Sequence, residues 1–294
     1  LSIPPRRSSL AVPASSPRKL EGAAKLAADE LILDLEDAVI PAEKEAAREN
    51  LVARVPGLPF AGTVSVRINP AGTEWAHDDV VRLASIPGPP ATFVIPKVES
   101  AADVHFVERL LEGVEGAAPG AREIRLQALV ESAAGLSRLD EIASCSQRLV
   151  ALVIGYADLA VSLGRTSEGA EDQSSWDPAR HQLLMAAKAN DLEAIDGPFM
   201  GIAPDPPMRA AVAHGRKLGF DGKWVIHPSQ IALVNEAFSP TASEVEQAQR
   251  VVEALERAAT SGGAGAVALD GKLLDKPIER AARRVLERAA GAAA

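Results

Sequence analysis

Two kinds of segment alternate along the chain. Short apolar runs rich in Val, Ile and Leu recur between longer Ala/Leu/Glu/Arg-rich stretches, in which apolar residues return every three or four positions. The strand-like runs are Ser9–Val12, Glu30–Leu35, Thr63–Ile68, Thr92–Pro96, Ile124–Val130, Leu149–Gly155, Glu193–Ile195 and Trp224–His227. The sixth, Leu149-Val150-Ala151-Leu152-Val153-Ile154, is apolar at every position, as a parallel strand covered on both faces should be. Helical stretches between them include Pro17–Ala28, Ala42–Val55, Ser100–Leu111, Gly135–Ser144, Pro178–Ala189 and Pro207–Leu218. Pro17 after Ser15-Ser16 and Pro178 after Asp177 are start signals, because proline in the first turn gives up an N–H that has no partner within the helix.

Eight strands alternating with helices predict an α/β fold, a (β/α)8 or TIM barrel, over residues 1–238. An open doubly wound sheet is the other arrangement the pattern permits. Against it, no Gly-x-Gly-x-x-Gly follows the first strand, and no Walker A motif occurs. Residues 239–294 read as a C-terminal helical extension. A helix is predicted over Pro240–Ala258, a flexible linker over Ser261-Gly262-Gly263-Ala264-Gly265, and a last helix over Lys276–Ala290. This tail is extra to the barrel and reads as a lid that caps it or reaches a neighbouring subunit.

Composition narrows the functions open to such a fold. The chain has 294 residues, 47% of them hydrophobic, which is enough for one large core. With 31 basic and 40 acidic side chains, its net charge is −9, and aromatics are 3%. That balance predicts no nucleic-acid partner and no stacking platform for single strands. No run approaches the ~20 apolar residues of a transmembrane helix, so no membrane partner is expected. Cys145 is the single cysteine, which rules out an intrachain disulfide framework and a cysteine-based zinc site. Pro4, Pro5, Arg6 and Arg7 interrupt any apolar leader, and the expected location is cytoplasmic.

In a (β/α)8 barrel the chemistry sits at the C-terminal ends of the strands. Here those ends carry Asp34-Leu35-Glu36-Asp37, Arg67-Ile68-Asn69-Pro70, Lys97-Val98-Glu99, Glu131-Ser132, Tyr156-Ala157-Asp158, Asp196-Gly197 and His227-Pro228-Ser229-Gln230. Charge on nearly every strand end exceeds what solvation alone requires. Carboxylates without cysteines, and with few histidines, point to a hard cation such as Mg²⁺. Glu131 and Asp158 are the best pair of metal ligands, each closing a long apolar run on adjacent strands. Two carboxylates leave about four positions of a six-coordinate shell for water and substrate. Arg67 offers a planar fork to a substrate carboxylate or a developing oxyanion. The set suits a reaction that makes and quenches an enolate beside a 2-keto or 2-hydroxy acid.

The ordered set of motifs resembles the citrate lyase β-subunit-like family of the HpcH/HpaI aldolase superfamily, whose members include malyl-CoA and citramalyl-CoA lyases. The matching segments are Arg7-Ser8-Ser9-Leu10-Ala11-Val12-Pro13-Ala14, Leu33-Asp34-Leu35-Glu36-Asp37-Ala38-Val39, Val66-Arg67-Ile68-Asn69 and Ile95-Pro96-Lys97-Val98-Glu99. They continue with Leu129-Val130-Glu131-Ser132-Ala133-Ala134-Gly135-Leu136, Gly155-Tyr156-Ala157-Asp158-Leu159, and the run from Gly219 to Pro228. The resemblance implies a trimeric or hexameric TIM-barrel lyase with Mg²⁺ on Glu131 and Asp158 and Arg67 on the substrate acid. It further implies that Asp275, just before Lys276-Pro277, enters a neighbouring subunit's site, and that Arg18, with Lys19 and Lys25 behind it, meets CoA phosphates. The implied substrates are a 2-keto acid and a CoA thioester, joined or cleaved as malyl-CoA or citramalyl-CoA. A CoA-free 2-keto-acid aldolase, and a non-catalytic or β-subunit component of a larger citrate lyase complex, are the alternatives.

The remaining rim residues have a functional and a structural reading each. Glu36, with Arg67 and Asp275, is a candidate for catalysis. Asp34 and Asp37 are candidates for substrate binding, orienting waters or Arg67, against a helix-capping role. His227 is a candidate near the acyl or CoA group, against a structural role at the Pro228 turn. Lys97 could form a Schiff base, but nearby Glu99, Glu131 and Asp158 favour its charged form, so it is read as balancing the acidic rim. Cys145 lies away from the rim, and Arg6 and Arg7 precede the first strand, on the face opposite the chemistry.

Overall fold

Alternation along the strands decides the architecture. The computed structural model describes residues 6–88, 90–117, 123–165, 173–260 and 267–293. Eight strands, β1 (Ser8–Pro13), β2 (Glu30–Asp34), β3 (Thr63–Arg67), β4 (Thr92–Ile95), β5 (Arg125–Val130), β6 (Leu149–Ile154), β7 (Glu193–Asp196) and β8 (Gly222–Val225), pair in sequence order. All pairs are parallel, and β8 closes onto β1 through Leu10 opposite Val225. The result is the expected closed barrel rather than an open sheet.

Helices fill the crossovers. They are α1 (Pro17–Ala23), α2 (Lys44–Arg54), α3 (Ala76–Ala84), α4 (Ala101–Ala117), α5 (Ala133–Ser137), α6 (Leu139–Ser144), α7 (Tyr156–Ser162), α8 (Asp177–Ala189), α9 (Pro206–Leu218) and α10 (Ile231–Phe238). Local chemistry sets their starts. Ser16 caps α1 by accepting from Lys19 N–H, Asp205 caps α9 by accepting from Met208 N–H, and proline follows each cap. The stretch Gly135–Ser144, read as one helix, is two, because Arg138 leaves the helical region at φ −122°, ψ 22°.

Hydrogen bonds between strands that are not neighbours show which side chains point inward. Gln127 on β5 donates to Glu30 Oε1 on β2 across the barrel, at 2.6 Å. Stepping two residues along each strand then gives three interior layers. The floor is polar: Ser9, Ser65 and Gln127 all donate to Glu30, and Ser65 lies 2.5 Å from Thr92. Arg6 pairs with Glu30 and with Glu193 beneath it. The middle layer is apolar, with Ile32, Val94, Leu129, Ala151, Val153, Ile195 and Trp224 in one cluster. The top layer returns to charge, with Asp34, Arg67 and Glu131.

The contacts divide the chain into Arg6–Asn235 and a second unit from Glu236 onward. The second unit holds α11 (Ala242–Thr260), a hairpin of β9 (Val267–Leu269) and β10 (Lys272–Leu274), and α12 (Lys276–Ala293). Its core gathers Ala248, Val251, Val252, Leu274 and Ala282. The predicted linker Ser261–Gly265 lies outside the described residues. Among those described, no helix is long and apolar enough to cross a membrane.

Candidate active site

The ends of β2 and β3 build the first half of the rim. Asp34 and Arg67 are register partners on adjacent strands. Arg67 donates from Nε to Asp34 Oδ1 at 2.8 Å and from Nη2 to Asp34 Oδ2 at 2.6 Å, a two-pronged contact. Its Nη1 lies 3.1 Å from Glu36 Oε2, and its guanidinium sits 5.6 Å from the centre of the Trp224 ring. Asp34 is itself held by the N–H groups of Glu36 and Ala38. Burial opposes the charge on Arg67, but Asp34, Glu36 and Glu131 hold it well above the ordinary arginine range. Asp34 takes two of the five N–H donors of the guanidinium, and Glu36 lies beside Nη1 as an ion pair.

Glu36 lies between two cations. Its Oε2 faces Arg67 and its Oε1 takes a short hydrogen bond from Lys97 Nζ, which also lies 3.4 Å from Asp37 Oδ1. Burial raises the Glu36 carboxyl, against the pull of Arg67 and Lys97. Burial also lowers Lys97, but Glu36, Asp37 and Asp158 outweigh it and hold the ammonium well above the usual lysine range. The ion pairs to Glu36 and Asp37 favour the ammonium, which is no nucleophile, and so weigh against the Schiff-base reading. Behind the loop, the buried Lys44 Nζ donates to the carbonyls of Leu35 and Glu36 at 2.7 Å each, fixing the turn that carries Glu36 and Asp37.

Glu131 follows β5 and is 4% exposed. Its Oε1 accepts the main-chain N–H of Lys97 at 2.8 Å. A Cβ built on Gly155 would stand 2.5 Å from its Oε2, so only glycine lets the β6 backbone approach this carboxylate so closely. Burial pushes the Glu131 carboxyl up to about 8, with Asp158 and Glu36 adding to the rise and Lys97 N–H and Arg67 opposing it. Asp158 does not end β6, as the sequence suggested. It lies in the first turn of α7, half-buried, where both Glu131 and Lys97 feel its charge.

Two carboxylates that repel each other in a nearly dry site fit a divalent cation, which would relieve both the repulsion and the burial penalty. Among the described residues, no group of three or more His, Cys, Asp or Glu side chains is arranged for a metal. A pair of oxygen ligands, with water and substrate completing the shell, suits magnesium rather than zinc.

Other predicted site residues lie at turns and helix ends. Arg18 and Lys19 are exposed in the first turn of α1, beyond the C-terminal end of β1, whereas Lys25 follows the far end of that helix. His227 is exposed and caps the turn at Pro228–Gln230, its Nδ1 2.8 Å from Ser229 Oγ. Asp275 belongs to the second unit, where its Oδ1 caps α12 by accepting from Ile278 N–H at 3.3 Å. Cys145 is half-buried, and burial pushes its thiol up to about 11, an unreactive form. Asp196, read as a rim group, faces the helices instead, because β7 turns Glu193 and Ile195 inward. It joins Tyr156, Arg180 and Lys223 in a buried cluster that the sequence reading missed. The parity of the strand was the signal that separates Asp196 from the rim.

Comparison with known proteins places this geometry in a family. The model described as HpcH/HpaI aldolase/citrate lyase matches residues 7–228, and one described as C-C_Bond_Lyase of the TIM-Barrel fold matches residues 188–291. The chain is 36% identical to an L-malyl-CoA/beta-methylmalyl-CoA lyase of Cereibacter sphaeroides, over 92% of this chain and 90% of that protein. It is 38% identical to a (3S)-malyl-CoA thioesterase of Cereibacter sphaeroides, over 99% and 96%. It also resembles the structure of CitE from Mycobacterium tuberculosis in complex with magnesium, acetoacetate and coenzyme A. There the TM-score is 0.75 and the identity 32%, over 98% of this chain and 99% of that one.

Proposed function

The chain belongs to the HpcH/HpaI aldolase/citrate lyase family, and on that premise we propose that it is a magnesium-dependent carbon–carbon lyase. Its substrate is a 3-hydroxy-3-carboxyacyl-CoA such as malyl-CoA, cleaved to a 2-keto acid and an acyl-CoA or formed from them. The observation that carries this reading is the buried carboxylate of Glu131, which feels the charge of Asp158 and of Arg67, the arginine bound by Asp34.

Cleavage breaks the bond between the carbinol carbon and the carbon α to the thioester. The hydroxyl proton leaves to a base and the oxygen's electron pair forms the keto-acid carbonyl. The electrons of the broken bond pass to the α-carbon as an enolate, which then takes up a proton. Glu131 and Asp158 would hold the magnesium, which would supply a Lewis acid for the oxygens of the keto or hydroxy acid. Arg67 binds the substrate acid and steadies the negative charge with the N–H groups that Asp34 does not take. Asp34 and Glu36 hold its plane fixed, so little reorganisation accompanies the reaction. Glu36 and Asp37 order water or substrate between Arg67 and Lys97.

The proton shuttle we assign to Asp275 is supplied by the tail, residues 239–294, to the barrel, residues 1–238, of a neighbouring copy. This assignment and that of Arg18, aided by Lys19 and Lys25, to the CoA phosphates rest on family resemblance. So does a homotrimer or hexamer, whereas His227 is placed near the acyl group by its position at a strand end, and a cytoplasmic location by the acidic balance of the chain. Glu131→Ala and Asp158→Ala test the centre: each should abolish magnesium-dependent turnover of malyl-CoA, and full retention in either would reject the assignment.

One observation favours a second reading. The 38% identity to a malyl-CoA thioesterase runs over 99% of the chain. Hydrolysis would replace C–C cleavage by attack of water on the thioester carbonyl, giving malate and free CoA, so the products separate the two.

A further inference from the structure

A second polar cluster lies behind the rim, on the helix-facing side of β7 and β8, and no step above uses it. Tyr156 opens α7 directly after β6. Its hydroxyl donates a short hydrogen bond to Asp196 Oδ1 and accepts one from Arg180 Nε at 2.5 Å. Asp196 Oδ2 accepts from Lys223 Nζ at 2.6 Å, and the same ammonium reaches the Gly197 carbonyl at 2.6 Å. The Tyr156 ring is walled by Trp176, 5.1 Å between centroids, and by the Arg180 guanidinium at 5.2 Å. Gly197 leaves the ring its space, since a Cβ there would stand 2.7 Å from it. Arg180, Asp196 and Lys223 are at most 1% exposed. So many buried charges are no cheaper than well-packed apolar side chains, and stability alone does not account for them.

Their place in the chain suggests what they do. Gly155, one residue before Tyr156, presses on the Glu131 carboxylate, and Asp158 follows two residues after it. Successive helical residues turn by ~100°, so Tyr156 and Asp158 leave α7 on nearly opposite sides. A tyrosine locked against α8 and β7 therefore aims Asp158 at the rim, where Glu131 and Lys97 feel its charge. Asp158 has no strand ladder to fix it, because β6 ends at Ile154.

We propose that Tyr156, clamped between Asp196 and Arg180, is a positioning residue for the Asp158 half of the magnesium site. The inference rests on the Glu131–Asp158 pair put forward above. A carboxylate aimed by a rigid turn meets the metal without first losing conformational freedom, so loosening the turn weakens binding while the ligands stay in place.

The experiment is a calorimetric titration of the full-length chain with Mg²⁺, paired with urea unfolding. Tyr156→Phe keeps the ring and removes the hydroxyl. It should weaken Mg²⁺ binding about 10- to 100-fold, with activity partly regained at high Mg²⁺. Gly215→Ala is the milder variant: its Cβ would stand 3.0 Å from Asp196 Oδ2, while alanine favours the α9 helix. It should shift affinity the same way by a smaller factor. Ser65→Ala, in the barrel floor, should lose stability and leave Mg²⁺ affinity unchanged. Wild-type affinity in Tyr156→Phe, or in Gly215→Ala if the former does not fold, overturns the inference and leaves the metal pair standing. A wild-type chain that binds no Mg²⁺ overturns the metal pair itself and the inference with it.

Discussion

Lys97 donates its main-chain N–H to Glu131 Oε1 at 2.8 Å, and it does so from a left-handed backbone, with φ of +52°. One residue thereby reaches three carboxylates, Glu131 through its backbone and Glu36 and Asp37 through its ammonium. A non-glycine side chain in that region costs on the order of 1 kcal/mol. Lys97→Gly should therefore be more stable than Lys97→Ala by about 1 kcal/mol in urea unfolding, because both lose the ammonium but only glycine relieves the backbone. Both should lose activity. Equal stability of the two variants would show that the left-handed turn carries no strain.

Arg67→Lys keeps the charge and loses the fork. An ammonium cannot make the two-pronged contact to Asp34 and still present directed donors to a ligand. The expected loss in kcat/KM is about 10- to 100-fold, or ~1.4–2.7 kcal/mol, with KM for the acid rising. Steady-state kinetics with the keto acid in the condensation direction measures it, and an unchanged KM would place Arg67 outside the binding step.

The raised Glu131 carboxyl makes metal binding pH-dependent. With its carboxyl at about 8, the metal-free site is mostly protonated at neutral pH and must release a proton to bind Mg²⁺. Affinity should climb by about tenfold per pH unit up to ~8 and level off above it. Calorimetry in two buffers of different ionisation enthalpy should find close to one proton released at pH 7. The stability of the metal-free chain follows the opposite course. The folded carboxyl keeps a proton that the unfolded chain sheds above its ordinary value of 4.5, so stability falls as pH rises from 4.5 to about 8. Affinity that is flat between pH 6 and 8 would contradict both expectations.

The polar floor should matter to folding and not to chemistry. Arg6→Met strands Glu30, which is fully buried, and the partly buried Glu193 without their cation. It should cost ~3–5 kcal/mol of stability. An apolar layer separates the floor from the rim, so kcat/KM should stay within about threefold of wild type in the fraction that folds. Denaturant unfolding and an activity assay on the same sample check both statements.

These residues also show how far the sequence could be read. The barrel and the charges of Glu131, Arg67 and Asp34 were legible because apolar runs mark the strands and polar residues mark their ends. Asp196 was misplaced on the rim because its inward or outward direction depends on strand parity, which a strand read as Glu193–Ile195 leaves out of view. Glu30 passed unnoticed as the head of an apolar run, since only closure of the barrel brings Ser9, Ser65 and Gln127 onto it. The β9–β10 hairpin was missed although Asp270-Gly271 announces a tight turn, with both residues at positive φ. The clamp on Tyr156 had no signal at all, because its partners come from α8, β7 and β8.

Product analysis of malyl-CoA turnover by the purified chain, with Mg²⁺ and again with excess chelator, tests the central claim most directly. A magnesium-dependent carbon–carbon lyase releases glyoxylate and acetyl-CoA in equal amounts, and chelation stops both. Malate and free CoA without glyoxylate, or glyoxylate release that persists in chelator, would contradict it.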